Sequence, residues 1–143
     1  MSQLNQFNQP VGDALPDWQP RSHPARVVLE GDWCRLEPLA VHHADALFAA
    51  HQLAADTRSW TWLLREPDSC VDDFRQWVAS VENLSDPIHF AVIDKKTDKP
   101  VGSLSLMRIA ASNGVVEVGH VHFSPLLSRT PMSTEAQWLL MRY

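Results

Sequence analysis

Val115-Val116-Glu117-Val118-Gly119-His120-Val121-His122-Phe123-Ser124-Pro125 is the stretch on which the reading of this 143-residue chain turns. β-Branched and aromatic residues dominate it as far as Phe123, which is strand chemistry, and Pro125 ends the run. Immediately upstream, Ser112-Asn113-Gly114 predicts a tight hairpin turn, because Asn and Gly tolerate the positive φ such turns demand. Two more strands precede that turn, Ile88 to Ile93 and Val101 to Ile109, joined by a polar turn. Residues 88–123 therefore predict a three-stranded antiparallel meander. Downstream, Thr130-Pro131 reads as an N-cap followed by proline at the first helical position. Ala136, Leu139, Leu140 and Tyr143 then recur at i, i+3, i+4 and i+7 as the apolar face of a helix. No C-cap signal follows, which leaves a helix that frays at its end or one that is truncated.

Toward the N-terminus, Val27 to Glu37 predicts one bent strand or a strand pair around Gly31-Asp32, ending at Pro38. His42 to Leu53 has helical spacing in Ala44, Leu47, Phe48 and His51, with His42-His43 as its start. A loop carrying Trp60 and Trp62 closes at Pro67. A second helix follows, capped by Asp68 or Ser69, with Val71, Phe74, Val78 and Val81 on one face and Asp72 and Asp73 where the helix dipole favours negative charge. Residues 1–26 hold four of the ten prolines and read as a wrapping arm, with Phe7, Leu15 and Trp18 available to pin it.

Composition narrows the function classes. The chain is 45% hydrophobic and 20% charged, which suits a single globular domain. A net charge of −5 argues against a general nucleic-acid surface. No apolar run approaches the length of about 18 residues that a membrane span needs. The first twenty residues lack the basic start and apolar stretch of a secretory signal, so a cytoplasmic location is expected. Two cysteines, Cys34 and Cys70, make no disulfide framework, and Cys34 reads as a buried strand thiol.

The element order, with EVGHVHFSP at 117–125 and LSRTPMSTEA at 127–136, resembles the GNAT family of acyl-CoA-dependent N-acetyltransferases, and within it the ribosomal-protein-alanine acetyltransferase-like branch. The likeness covers residues 27–143. It implies an α+β, GNAT-like three-layer fold: N-terminal strand, two helices, three-stranded antiparallel meander, then the cofactor-loop helix. It also implies acetyl-CoA as co-substrate and a primary amine as acceptor, either a protein N-terminus or a small molecule. The family's Gln/Arg-x-x-Gly-x-Gly/Ala loop, whose amides hold a pyrophosphate, falls on Ser128, Arg129, Thr130, Pro131, Met132 and Ser133. Ser128 replaces Gln/Arg and Pro131 replaces the first glycine. Met132, Ser133 and Thr134 still present amides at a helix N-terminus, hydroxyls of Thr130, Ser133 and Thr134 add to them, and Arg129 can pair with a phosphate. Val121, His122 and Phe123 would form the first wall of the pantetheine channel. The family's later strands and its thiolate-protonating tyrosine have no counterpart here, so weak or absent activity is expected of this chain alone.

Glu117 is the candidate general base, acting through water; its alternative is an exposed strand residue paired with Arg108. Strict alternation puts Glu117, Gly119, Val121 and Phe123 on one face and Val116, Val118, His120 and His122 on the other, unless a bulge intervenes at Gly119. His120 and His122 share a face but lack an evident third ligand, so no metal is expected. Trp60 and Trp62 are candidate acceptor-binding residues, whereas Trp77 and Trp138 read as packing. A non-catalytic alternative is an interaction module, with a homodimer as one form of it, pairing through the open edge of strand 115–123 and an exposed apolar face of the last helix.

Overall fold

Alternating and helical periods resolve into a sheet with helices on both faces. The computed structural model describes residues 3–143; Met1 and Ser2, the first two residues of the predicted arm, lie outside the described residues. In chain order the elements are β1 (Gln3–Leu4), β2 (Pro10–Val11), β3 (Leu29–Glu30), β4 (Cys34–Pro38), α1 (Ala44–His51), α2 (Val71–Val81), β5 (Ile88–Asp94), β6 (Lys99–Ala110), β7 (Val115–Phe123) and α3 (Pro131–Arg142). β1 and β2 pair only with each other, a small ribbon that the sequence did not announce. The remaining five strands form one antiparallel sheet in the order β3-β4-β5-β6-β7.

Cross-strand register divides the sheet residues between two cores. Cys34, Leu36, Ile88, Phe90, Val92, Leu104 and Leu106 face α3 and pack on its Ala136, Leu139 and Leu140. Ala91 and Ile93 face the other way, onto Leu47 of α1 and Phe74 and Val78 of α2. The apolar face of the last helix is thus buried, not exposed as the interaction-module reading required. No helix among the described residues is long and apolar enough to cross a membrane.

Several local expectations need correction. Cys70, not Asp68 or Ser69, is the N-cap of α2, and no side chain caps that helix. The 111–114 turn is a 3-10 turn in which Gly114 alone has positive φ, 61°. A side chain at Gly114 would also collide with Trp18, whose indole Nε1 donates to Ser112 O at 2.9 Å. Trp18 therefore pins the arm, while Phe7 and Leu15 stay exposed. Tyr143 holds the arm's other end, its hydroxyl accepting from Ala25 N at 2.7 Å.

A carboxylate fastens α3 to the sheet. Glu135 accepts from the main-chain N–H groups of Asp32, Trp33 and Cys34 at 2.6, 2.8 and 2.7 Å. Its oxygens lie 2.6 and 2.7 Å from where a Cβ on Gly31 would sit, so only glycine fits there. Burial pushes the Glu135 carboxyl up, but the three main-chain donors outweigh it and hold the group below the usual range. Cys34 moves the other way: burial, then the adjoining Glu135, raise its thiol to about 12, which leaves it protonated and inert.

Glu135→Ala should strand three main-chain donors and lower stability by about 2–4 kcal/mol in urea titration. A depressed folded-state pKa means the contribution is complete above the ordinary carboxylate range and is lost as pH falls through the folded value. The gap between the parent and Glu135→Gln should accordingly narrow as the titration is repeated at lower pH.

Candidate active site

β7 changes phase in the middle. Glu117 lies opposite Met107, Val118 opposite Leu106 and Gly119 opposite Ser105, but His122, not Val121, lies opposite Ser103. One extra residue is accommodated around His120, which adopts φ 47°. This is a β-bulge, and Ser105 Oγ ties it by donating to Gly119 O at 3.0 Å. Glu117, Gly119 and His122 consequently share the α1/α2 side, whereas Val118 and Phe123 take the α3 side. Regular alternation therefore ends at Gly119, where the exception to it, a bulge, is what the strand adopts.

The bulge delivers His120 and His122 into a cleft beneath α1, α2 and the loop between them. His51, Trp60, Arg65, Trp77 and Ser103 complete most of its wall. His122 stacks between His51 and Trp60, with ring centroids 4.0 and 4.1 Å away, and its Nε2 lies 3.2 Å from Ser59 Oγ. His120 approaches the buried His89 at 5.1 Å, and His89 meets Trp77 edge-on at 5.6 Å. The Arg65 guanidinium lies 4.2 Å over the Trp77 ring and pairs with Asp68. Free space in the cleft is about 30 Å³, room for one or two waters. Anything larger must displace the Trp60 or Arg65 side chains.

Burial keeps His51, His89 and His122 neutral at and beside this cleft. Burial, then His122 and Arg65, lower His51 to about 3, with the main chain at His122 weakly opposing. Burial, then His120 and nearby arginines, lower His89 to about 4. Burial followed by Arg65 lowers His122 to about 4. Nδ1 of His122 has no hydrogen-bond partner, and neither ring nitrogen of His51 has one of good geometry.

The other residues singled out by sequence are spread along the chain from this cleft. Trp60 lines it, but Trp62 is 92% exposed and takes no part in its wall. Glu117 is half-exposed; its Oε2 pairs with Arg108 Nη1 at 3.2 Å, and its Oε1 lies 3.9 Å from where a Cβ on Gly119 would sit. Val121 and Phe123 pack against the α3 core while His122 points away from it. Ser128 Oγ donates to Phe123 O at 3.4 Å. Arg129 takes the left-handed φ of 62° that turns the chain into α3. Thr130 Oγ1 donates to Leu127 O and Ser133 Oγ to Thr130 O, both at 2.7 Å, so these hydroxyl protons serve the loop itself. Ser133 N also bonds Thr130 O, at 3.1 Å, leaving the amides of Arg129 and Met132 without an intramolecular partner among the described residues. The free amide of Met132 at the N-terminus of a twelve-residue helix is a place for an anion.

Glu37, His42 and His43 bring their ligand atoms within 4.8 Å of one another. His43 Nδ1 accepts from Ala40 N at 3.1 Å, so Nε2 carries the proton and donates to Glu37 Oε2 at 2.9 Å. That tautomer leaves no lone pair for a metal, and Arg35 further occupies Glu37.

Sequence reading missed Arg65 and Phe74 as wall residues, because the irregular loop and the α2 face carry no chemical motif. His51 was visible only as a helical position.

No family model matches the sequence, and no curated protein matches it. Among solved structures, a GCN5-related N-acetyltransferase from Brucella melitensis is 43% identical, with TM-score 0.86 over 90% of this chain and 59% of its own. A probable acetyltransferase of the GNAT family from Chromobacterium violaceum is 31% identical, with TM-score 0.81 over 94% of this chain and 67% of its own. A structure assigned as a ribosomal-protein-serine acetyltransferase from Vibrio cholerae shares the fold at TM-score 0.67 and 13% identity, over 80% of this chain and 64% of its own. The chain thus spans about three fifths to two thirds of the length of these neighbours.

Histidines held neutral by burial cost stability in acid, because the unfolded chain takes up protons near pH 6.5 and the folded one does not until about pH 4. Stability should therefore fall as the pH drops from about 6.5 to 4. In NMR titration the His51 and His122 ring signals should stay flat from pH 8 down to 5. A midpoint near 6.5 for either would contradict the neutral cleft.

Proposed function

The chain belongs to the GNAT family of acetyltransferases, and from that premise we propose that it carries the acetyl-CoA-binding and amine-binding elements of an N-acetyltransferase. The observation that carries this reading is the placement of two half-sites by a single strand. The bulge in β7 opens onto the histidine cleft, and the C-terminal end of β7 leads through residues 124–130 into the N-terminus of α3.

Acetyl-CoA, the co-substrate this fold implies, would supply a thioester carbonyl for the amine to attack. The residues present fit its diphosphate: the Met132 amide is free, the helix dipole favours an anion, and Arg129 can reach a phosphate. Pro131 removes one donor, so a weaker grip than that of a glycine-rich loop is expected. Val121, His122 and Phe123 present main chain along the outer edge of β7, which pairs with no strand among the described residues. Ser128, Thr130, Ser133 and Thr134 shape the loop, chiefly by hydroxyl-to-carbonyl bonds for Thr130 and Ser133.

For the acceptor, the cleft with Trp60 on its wall takes the reacting amine, and Trp62 extends an exposed ring from the same loop. Transfer forms an N–C bond and breaks the C–S bond, so the amine must give up a proton. Glu117 draws it off through water, since its carboxylate curls over Gly119 at the bulge. His51, His89 and His122, lowered by burial, hold too little basicity at pH 7 for that role. Either a protein N-terminus, as in the ribosomal-protein-alanine acetyltransferase-like branch, or a small amine satisfies this chemistry. Turnover by these 143 residues alone should be low, because they supply one wall of the channel only.

A second reading, an interaction module that pairs through the outer edge of β7, rests on that edge being free and on the exposure of Val115 and Val116. A discrete dimer in light scattering would favour it.

Calorimetry with coenzyme A should detect binding that Arg129→Glu weakens about tenfold or more. Absence of binding to the parent protein would remove the acetyltransferase reading. Where turnover is measurable, Glu117→Gln should lower kcat by about 10²-fold with KM for acetyl-CoA unchanged; an unaltered kcat would assign the proton transfer elsewhere.

A further inference from the structure

Beside the histidine cleft lies a second cavity of about 100 Å³, and the two share His51, Trp60 and Phe74 as a common wall. Their charge is opposite in kind. Arg65 is the one permanently charged residue lining the cleft, whereas Asp56 and Asp68 are the charged residues lining the second cavity. The Asp68 side chain is only 10% exposed. Its Oδ1 accepts from Arg65, but Oδ2 is buried with no partner at all. His51, on the shared wall, is equally short of partners at both ring nitrogens.

A buried carboxylate oxygen and a buried imidazole lone pair left without donors each cost free energy that an incoming N–H group would recover. Asp56 is already paired with the exposed Arg58 and Asp68 with Arg65, so the partnerless Oδ2 of Asp68 is the acceptor that remains for a cation. Phe48, Trp60 and Phe74 add aromatic surface, which suits an alkylammonium with its charge and its apolar carbons. Resting on the reading that the cleft takes the reacting amine, we propose that this second cavity seats a distal positive charge on the acceptor, so that the site selects amines bearing a second ammonium or comparable cationic group over simple monoamines. The reacting amine then sits on the His122 side of the His51–Trp60 wall and the second charge on the Asp68 side.

The test measures binding without acetyl-CoA, so that it does not depend on acetyl transfer. Calorimetric or fluorescence titration compares 1,4-diaminobutane and longer diamines with butylamine at about 0.15 M salt. At least one diamine should bind about tenfold or more tightly than butylamine, and Asp68→Asn should bring the diamine down to the affinity that the same variant shows for butylamine. Asp56→Asn, at a more exposed side chain, should reduce the preference about two- to threefold and serves if Asp68→Asn does not fold. Equal affinity for mono- and diamines would mean that the cavity holds water only and would overturn the proposal. A diamine preference that both variants retain would overturn it too, by locating the second charge elsewhere. Diamine selectivity with no coenzyme A binding would keep the cation seat and sink the acetyltransferase reading; coenzyme A binding without selectivity would do the reverse.

Discussion

One inserted residue in β7 governs what this molecule can do. Without the bulge at Gly119–His120, strand period would send His122 into the α3 core and leave the α1/α2 side with Val121. The left-handed backbone at His120 carries a conformational cost, because a non-glycine side chain is strained at φ 47°. Ser105 offsets part of it by fixing the Gly119 carbonyl. In exchange, two imidazoles enter one cleft, and the half-exposed Glu117 comes to lie on the same side of the sheet. Strain at one residue has converted an ordinary edge strand into the floor of a site.

The opposite face of the sheet does the complementary task. Its core is built from aliphatic side chains and α3, with Glu135 satisfied by three main-chain donors. This bond set fixes the β3–β4 turn to α3, and so sets where the helix begins relative to the end of β7. The free amide of Met132 is positioned by that packing, since the first turn has only short loop contacts of its own. Cys34, pressed between Met132 O and Glu135, shows how tight the junction is.

Much of this was legible in the sequence, and the failures have physical causes. The meander, the Thr-Pro helix start and the amphipathic α2 all follow from period and capping, and the structure has each of them. Phase after Gly119 was not legible, because a bulge adds a residue without altering composition; the glycine hinted at the place and nothing more. Arg65 and Asp68 sit in an aperiodic loop, where no pattern says which side chains turn inward. Trp60 and Trp62 look equivalent in sequence, yet the 3-10 turn Arg58–Trp60 turns one ring inward and leaves the other in solvent. Glu135 passed as an ordinary helical glutamate, since its partners are main-chain groups about a hundred residues away.

The distribution of unmet hydrogen-bonding capacity separates scaffold from site. Among the described residues, the buried side-chain atoms without a partner are both ring nitrogens of His51, Nδ1 of His122 and Oδ2 of Asp68. All four belong to the walls of the two adjoining cavities, and none lies on the α3 side. A fold under selection for stability alone would replace them by apolar groups of similar shape at little cost. Their concentration on one face instead follows from a surface built to be completed by a ligand's donors. The partnerless atoms and the bulge that directs His122 thus lie on the same, α1/α2 side of β7.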